Sequence, residues 1–270
     1  MGLDMLGNGT AFDHVSGVLA PEDIDFLKGA VREQLEREQV PCFSLIDHLD
    51  STPVKKIKAL VEERLGEPVY YLNDFYIFTD SSFKTSWHMD TELFSFDRAV
   101  NAWILLAPDR VDGPLAFIKG LNEPSGDYFH SVNEDGEMLN FSEYHTRRRA
   151  SFPASEIEAR QVGTPQISRG DVLLIDPRRF HKTSVTTAKH ALAIKFVLKG
   201  GNGFLSPQQV PAILWPEVKT FNDLVKGAAD WDEVLDRTRS ALGTEEGKAR
   251  LSSGFFPEKF PLYLESIRSI

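Results

Sequence analysis

The chain has 270 residues, 41% of them hydrophobic, a formal net charge of −10 and one cysteine, Cys42. That is enough apolar material for one large core, and it excludes disordered, collagenous and coiled-coil classes. The acidic balance opposes a phosphate-binding surface, so no nucleic acid is expected and a small-molecule substrate is the expected partner. A single cysteine excludes an intrachain disulfide, a cysteine-based zinc knuckle and a Cys-X-X-Cys redox pair, which fits a reducing compartment.

The N-terminal stretch MGLDMLGNGTAFDHVSG has neither a basic n-region nor a long apolar segment. No later run approaches the roughly 18 apolar residues of a membrane span, so a cytoplasmic protein with no membrane partner is expected. The first predicted helix lies in PEDIDFLKGAVREQLEREQ, with Pro21 in the first turn, acids beside it, and Ile24, Leu27, Val31 and Leu35 spaced by three and four. The second lies in DSTPVKKIKALVEERLG, where Asp50 or Ser51 can cap, Val54, Ile57, Val61 and Leu65 form the stripe, and Gly66 terminates it.

From Pro68 the period changes from helix to strand, in PVYYLNDFYIF, AVNAWILL, PLAFI, DVLLID and ALAIKFVLK. Turn dipeptides separate these runs and no long helical pattern lies between them, which predicts an antiparallel sandwich or jelly roll rather than a doubly wound sheet. Residues 121–165 read as a polar segment without clear structure, a lid or binding loop, that carries Arg147, Arg148 and Arg149. Beyond residue 200 the pattern is helical again, with Phe221, Leu224, Val225, Trp231, Val234 and Leu235 as its apolar stripe. The expected organisation is a domain over 1–200 and a helical C-terminal extension over 201–270, packed on that domain or on a second subunit in a homodimer.

The stretch SFKTSWHMDTELF places His88 and Asp90 two apart, and if it is extended both side chains point to one side. RGDVLLIDPRRFHKTS brings in His181 after a strand and a turn. Two histidines and one carboxylate are the ligand set of non-haem Fe(II) oxygenases, and the same set also holds catalytic zinc. A second His-X-Asp pair, His48 and Asp50, falls at a predicted helix start, where the acid has a capping role instead.

SWHMD, NAWILL, GPLAFIKG and RGDVLLIDPRRFHKTS, in this order, resemble the phytanoyl-CoA dioxygenase-like family of Fe(II)/2-oxoglutarate-dependent oxygenases, and FDHVSGVLAPEDIDFLKGAV resembles its N-terminal strand and helix. The resemblance implies a mainly β fold with flanking helices, the double-stranded β-helix or cupin-like jelly roll. It implies His88, Asp90 and His181 as iron ligands, with Fe(II), 2-oxoglutarate and O2 as cofactor and cosubstrates. It also implies hydroxylation of an unactivated C–H bond of a small metabolite, with release of succinate and CO2. Asp90 retains the carboxylate that related halogenases lack, so a halogenase is not expected.

Two departures from the family pattern stand out. Gly120-Leu121-Asn122 replaces the family's Gly-Ser-His turn, and the arginine expected past the distal histidine to hold the cosubstrate's 5-carboxylate is missing. Lys189 occupies the nearest place and Lys195 is the alternative, an ammonium pairing as a point charge without the bidentate fork. Either lysine can instead be a solvated strand-end charge. Asn101 and Trp103 share a face of the following strand, where Asn101 can hydrogen-bond the cosubstrate and Trp103 can wall the pocket. One of Arg147, Arg148 and Arg149 can close over an anionic substrate group. The competing functions are a zinc hydrolase or isomerase on a jelly roll, and a non-catalytic binding protein that has lost the cosubstrate.

Overall fold

The computed structural model describes residues 12–38, 40–79, 99–119, 136–143, 146–153, 158–177, 179, 181–183, 188–198, 228, 230–251 and 260–270. Two helices follow the first strand: α1 (Pro21–Glu38) and α2 (Thr52–Leu65). Helix α1 starts where Pro21 needs no N–H partner, and the Asp23 carboxylate reaches back to accept the Ala20 N–H at 2.9 Å. Ile24, Leu27, Val31 and Leu35 are its buried stripe. Helix α2 ends at Gly66, whose φ of 71° lets its N–H turn back to the Glu62 carbonyl at 2.8 Å. At the other end, Ser51 takes the N-cap position but its side chain makes no cap bond. Asp50 pairs with the Lys55 ammonium at 3.0 Å instead of capping. The local signal located the helix start; the bond expected there is not formed.

In chain order the strands are β1 (Phe12–Val15), β2 (Val69–Thr79), β3 (Ala99–Ala107), β4 (Arg110–Val111), β5 (Leu115–Ile118), β6 (Gly136–Glu143), β7 (Thr146–Pro153), β8 (Gln161–Gly163), β9 (Ile167–Ser168), β10 (Val172–Ile175), β11 (His181–Thr183) and β12 (Lys189–Leu198). A five-stranded antiparallel sheet runs β1-β10-β3-β12-β2, and a three-stranded one runs β11-β5-β8. Sequence neighbours are far apart in these orders, which is the crossing connectivity of a jelly roll.

The large sheet is apolar on both faces, and β3 is buried at every position but its last. Its outer face, with Ile104, Leu174, Leu192 and Ile194, packs on Leu27, Val31, Ile57 and Val61 of the helices. Its inner face, with Trp103, Leu105, Leu173, Ile175, Ala191 and Ala193, packs on Leu115 and Phe117 of the small sheet. The loop into β10 is pinned by Asp171, which accepts the N–H groups of Gly17 and Ser168, both at 2.9 Å, and faces His14 Nε2 at 3.0 Å. Burial opposes the charge on Asp171, but these donors outweigh it and hold its carboxyl below the ordinary range. Gly170 beside it has φ 96°, and a Cβ there would stand 2.4 Å from the Leu19 carbonyl oxygen, so only glycine fits.

Residues 121–165, read from sequence as a segment without clear structure, contain regular elements. Strands β6 and β7 pair as an antiparallel hairpin, and β8 pairs with β5 at the edge of the small sheet. Leu139 and Phe141, and Ala150 and Phe152, are each two apart in the sequence, but the arginines and polar residues around them mask the strand period.

After residue 228 the chain forms α3 (Trp231–Leu242), α4 (Glu245–Leu251) and α5 (Phe260–Arg268). Trp231, Val234 and Leu235 are buried, and the Trp231 indole donates to the Tyr71 carbonyl at 2.6 Å; Phe221, Leu224 and Val225 lie outside the described residues. Helix α5 docks on the outer face of the large sheet through a buried chain of hydrogen bonds. Ser266 Oγ donates to the Tyr263 carbonyl at 2.8 Å and stands 2.9 Å from Tyr76 Oη, which stands 2.8 Å from His190 Nδ1. A carbonyl only accepts, so the protons run one way: from His190 Nδ1 to Tyr76, and from Tyr76 to Ser266. Among the described residues, no helix is long and apolar enough to cross a membrane.

Candidate active site

Side chains alternate faces along a strand, so the odd positions of β12, Lys189, Ala191, Ala193 and Lys195, share one side. Ala191 and Ala193 belong to the core between the two sheets, so that side is the interior of the barrel. Register places Lys189 opposite Thr79, and Lys195 between Asn73 of β2 and Asn101 of β3. Trp103 is opposite Ala193 and shares the same inner face.

Both lysines are buried, Lys189 at 1% and Lys195 at 5% exposure, which excludes the solvated strand-end charge for either. Burial pulls the Lys189 ammonium down to about 8. Thr79 opposite it is fully buried, and its hydroxyl has no hydrogen-bond partner among the described residues. A buried ammonium facing a buried hydroxyl that still has bonds to make suits a carboxylate, which accepts from both. Thr79 was not among the residues singled out from sequence, since a threonine that ends a strand run carries no signal until register shows what it faces.

His181 heads β11, directly opposite Phe117, and the two rings stack with centroids 5.8 Å apart. Its Nδ1 lies 2.9 Å from the Arg179 carbonyl oxygen. That oxygen can only accept, so Nδ1 is the donor, and in the neutral ring Nε2 is the lone-pair nitrogen, with the backbone tether typical of a metal-binding histidine. Arg179 itself is buried, with its guanidinium 3.8 Å from the Asp176 carboxylate.

A continuous row joins this histidine to the large sheet. Lys195, Asn101, Ile175 and Phe12 are successive register partners across β12, β3, β10 and β1. The Phe12 ring then meets Phe117 at 5.3 Å, and Phe117 meets His181. Of the sequence-predicted residues, His181, Lys189, Lys195, Asn101 and Trp103 therefore share one interior. His88 and Asp90 lie outside the described residues. Among the described residues no three His, Cys, Asp or Glu side chains form a metal-holding group, two of the three expected ligands being outside that set. Arg147, Arg148 and Arg149 stand on β7 in register with Ser142, Phe141 and Asn140 of β6. The other His-X-Asp pair is structural: His48 meets Phe26 edge-on at 5.5 Å, and Asp50 is on the surface.

Two antiparallel sheets packed face to face around an apolar interior define a jelly-roll fold of the cupin-like class. The family model for phytanoyl-CoA dioxygenase (PhyH) matches residues 10–191. The chain belongs to that family of Fe(II)/2-oxoglutarate-dependent oxygenases.

Among solved structures, the chain is similar to SnoK, a non-haem α-ketoglutarate-dependent carbocyclase from nogalamycin biosynthesis. The TM-score is 0.52 at 16% identity, over 73% of this chain and 83% of that one. It is also similar to EvdO2 from Micromonospora carbonacea var. aurantiaca, complexed with 2-oxoglutarate. There the TM-score is 0.51 at 13% identity, over 76% of this chain and 94% of that one. At these identities the likeness establishes the fold. No curated protein matches the chain.

Proposed function

We propose that this protein is an Fe(II)/2-oxoglutarate-dependent oxygenase that hydroxylates an unactivated C–H bond of a small metabolite or natural-product intermediate, with release of succinate and CO2. The observation that supports it most is the inner-face pairing of Lys189 with Thr79 in a chain whose family match spans His88, Asp90, His181 and Lys189. A buried cation at Lys189 supports retention of the cosubstrate despite the missing arginine.

In this reading His88, Asp90 and His181 hold the iron, which when bound supplies the coupling of O2 reduction and cosubstrate decarboxylation to C–H oxidation. The protein's own part is placement. The Arg179 carbonyl keeps the His181 ring turned so that Nε2 remains the ligating nitrogen. Lys189 and Thr79 bind the 5-carboxylate of 2-oxoglutarate, Asn101 donates to the cosubstrate, and Trp103 walls the cavity. Phe12 and Phe117 form a dry wall beside His181 that keeps water from the reacting centre. One of Arg147, Arg148 and Arg149 on β7 receives an anionic group of the substrate.

The test is reconstitution with Fe(II), addition of 2-oxoglutarate and O2, and a screen of small metabolites for substrate-stimulated succinate release. Co-purified zinc with no 2-oxoglutarate uptake would replace this reading with the hydrolase or isomerase one. Failure to bind 2-oxoglutarate in the Fe(II)-loaded protein would leave a non-catalytic binding protein. Product analysis separates hydroxylation from ring closure, desaturation or epimerisation.

A further inference from the structure

We propose that the seam between α1 and α5, on the outer side of the large sheet, is a binding site for inorganic phosphate, with Lys28 and Arg32 as its cations and His190 as the acceptor of the phosphate proton. The site lies outside the barrel interior, and the proposal does not depend on what that interior binds.

The cations come first. Lys28 and Arg32 are one turn apart on α1 and so share a face of that helix. Lys28 is only 7% exposed, and it has no hydrogen-bond or ion-pair partner among the described residues. Arg32 Nε is buried and also without a partner there. The one bond of that guanidinium runs from a terminal nitrogen to the Ile267 carbonyl of α5 at 3.5 Å, beyond the usual length. Glu36, the acid one turn further along α1, is taken by Arg268 at 2.7 Å. This is a chain of net charge −10, in which Lys56 pairs with Asp23, Lys248 with Glu38 and Arg179 with Asp176. Two cations drawn in from solvent and left without an acid destabilise the fold until an anion meets them.

The other side of the seam selects the anion. Helix α5 sets the Tyr263 ring 6.0 Å from that of Tyr76, and Tyr76 joins Ser266 of α5 to His190 of β12. The Lys28 charge reaches this group: after burial, it is what opposes protonation of the His190 ring. Because Nδ1 gives its proton to Tyr76, Nε2 of the neutral ring keeps a lone pair. Neither that nitrogen nor the Tyr263 hydroxyl has a hydrogen-bond partner among the described residues. The seam thus offers an ammonium, a guanidinium N–H and a phenol as donors, beside one nitrogen that accepts. Hydrogen phosphate matches this set, with oxygens for the donors and a P–OH for Nε2. Sulfate has no proton to give at neutral pH, and a phosphate monoester has lost most of its last one, which leaves near pH 6.

The experiment is calorimetric titration of the full chain at pH 7.5 and constant ionic strength with inorganic phosphate, glycerol 3-phosphate and sulfate. One saturable phosphate site per chain is expected, with the other two anions about tenfold weaker, the scale of one hydrogen bond. Lys28→Gln and Arg32→Gln should each weaken phosphate by about tenfold or more, Lys28→Arg should retain it, and Lys58→Gln, which alters a lysine paired with Glu62, should change nothing. In the unaltered protein, phosphate should shift the imidazole resonances of His190 and leave those of His14, which is held by Asp171.

Absence of saturable phosphate binding overturns the proposal, as does unchanged affinity in both glutamine variants. Sulfate or glycerol 3-phosphate binding as tightly as phosphate removes the role of His190 and overturns it too. Should the glutamine variants melt early, the unaltered protein decides: phosphate uptake that leaves the His190 resonances in place places the anion elsewhere.

Discussion

Lys189 and Thr79 face each other across the β12–β2 pair on the inner wall of the barrel, both closed to solvent. In the proposed function, this ammonium and hydroxyl form a carboxylate cradle built from two strands, each placing one donor. Lys189→Met should raise the KM for 2-oxoglutarate about a hundredfold and Thr79→Val about tenfold, the scales of a charged and a neutral hydrogen bond. Steady-state kinetics with cosubstrate varied, and metal content measured alongside, check this. Equal effects on metal content and KM would mean that the two residues serve the fold rather than the cosubstrate.

Burial brings the Lys189 ammonium down to about 8, so in the cosubstrate-free protein its charge is lost as pH rises through that value. Affinity for 2-oxoglutarate should therefore fall above pH 8. In Lys189→Arg, whose guanidinium stays charged, that fall should disappear. The stability sign runs the other way. Between about 8 and the ordinary lysine value the unfolded chain binds the extra proton, so this group's contribution makes the ligand-free fold more stable as pH rises. Titrations at pH 7 and pH 9.5, with and without cosubstrate, test both statements.

His190 sits back to back with that site, on the outer face of β12, against Tyr76, Phe78 and the Ser266 end of α5. Burial first, and then the charge of Lys28, lowers its imidazole to about 4. The unfolded chain takes up the proton near 6.5, so stability present above that pH should be lost as pH falls toward 4. Denaturant melts at pH 7 and pH 4.5 should show the loss in the unaltered protein. A shallower dependence is expected in His190→Gln, which cannot titrate.

His181→Ala should abolish iron binding and turnover while the melting temperature changes little, since the ring sits at a strand start and leaves the main core intact. His48→Ala should retain iron, because that ring packs on Phe26. Iron content by elemental analysis decides, and iron loss in His48→Ala with retention in His181→Ala would refute the ligand assignment.

Arg147, Arg148 and Arg149 are consecutive residues of β7. Neutralising Arg147 and Arg149 together should weaken binding of an anionic substrate by about tenfold or more while 2-oxoglutarate affinity stays the same. Unaltered substrate affinity in both that double variant and Arg148→Gln would identify the basic run as solvated charge.

Much of this protein was determined by sequence alone, because the signals were local. Apolar period marked α1, α2 and the main strands, Gly66 marked a helix end, and strand alternation placed Lys189 with Lys195 and Asn101 with Trp103. Four ordered motifs were enough for the family. Only tertiary structure decided what those residues face. Thr79 became a candidate cradle residue through register with Lys189, across a pair more than a hundred positions apart in the chain. The burial that removes the solvated reading of both lysines exists only in the folded chain. Ser51 shows the limit from the other side: its position predicted a cap, yet the local bond was not made. Long-range register and burial depend on how whole sheets pack, and no window of sequence contains both partners of such a contact.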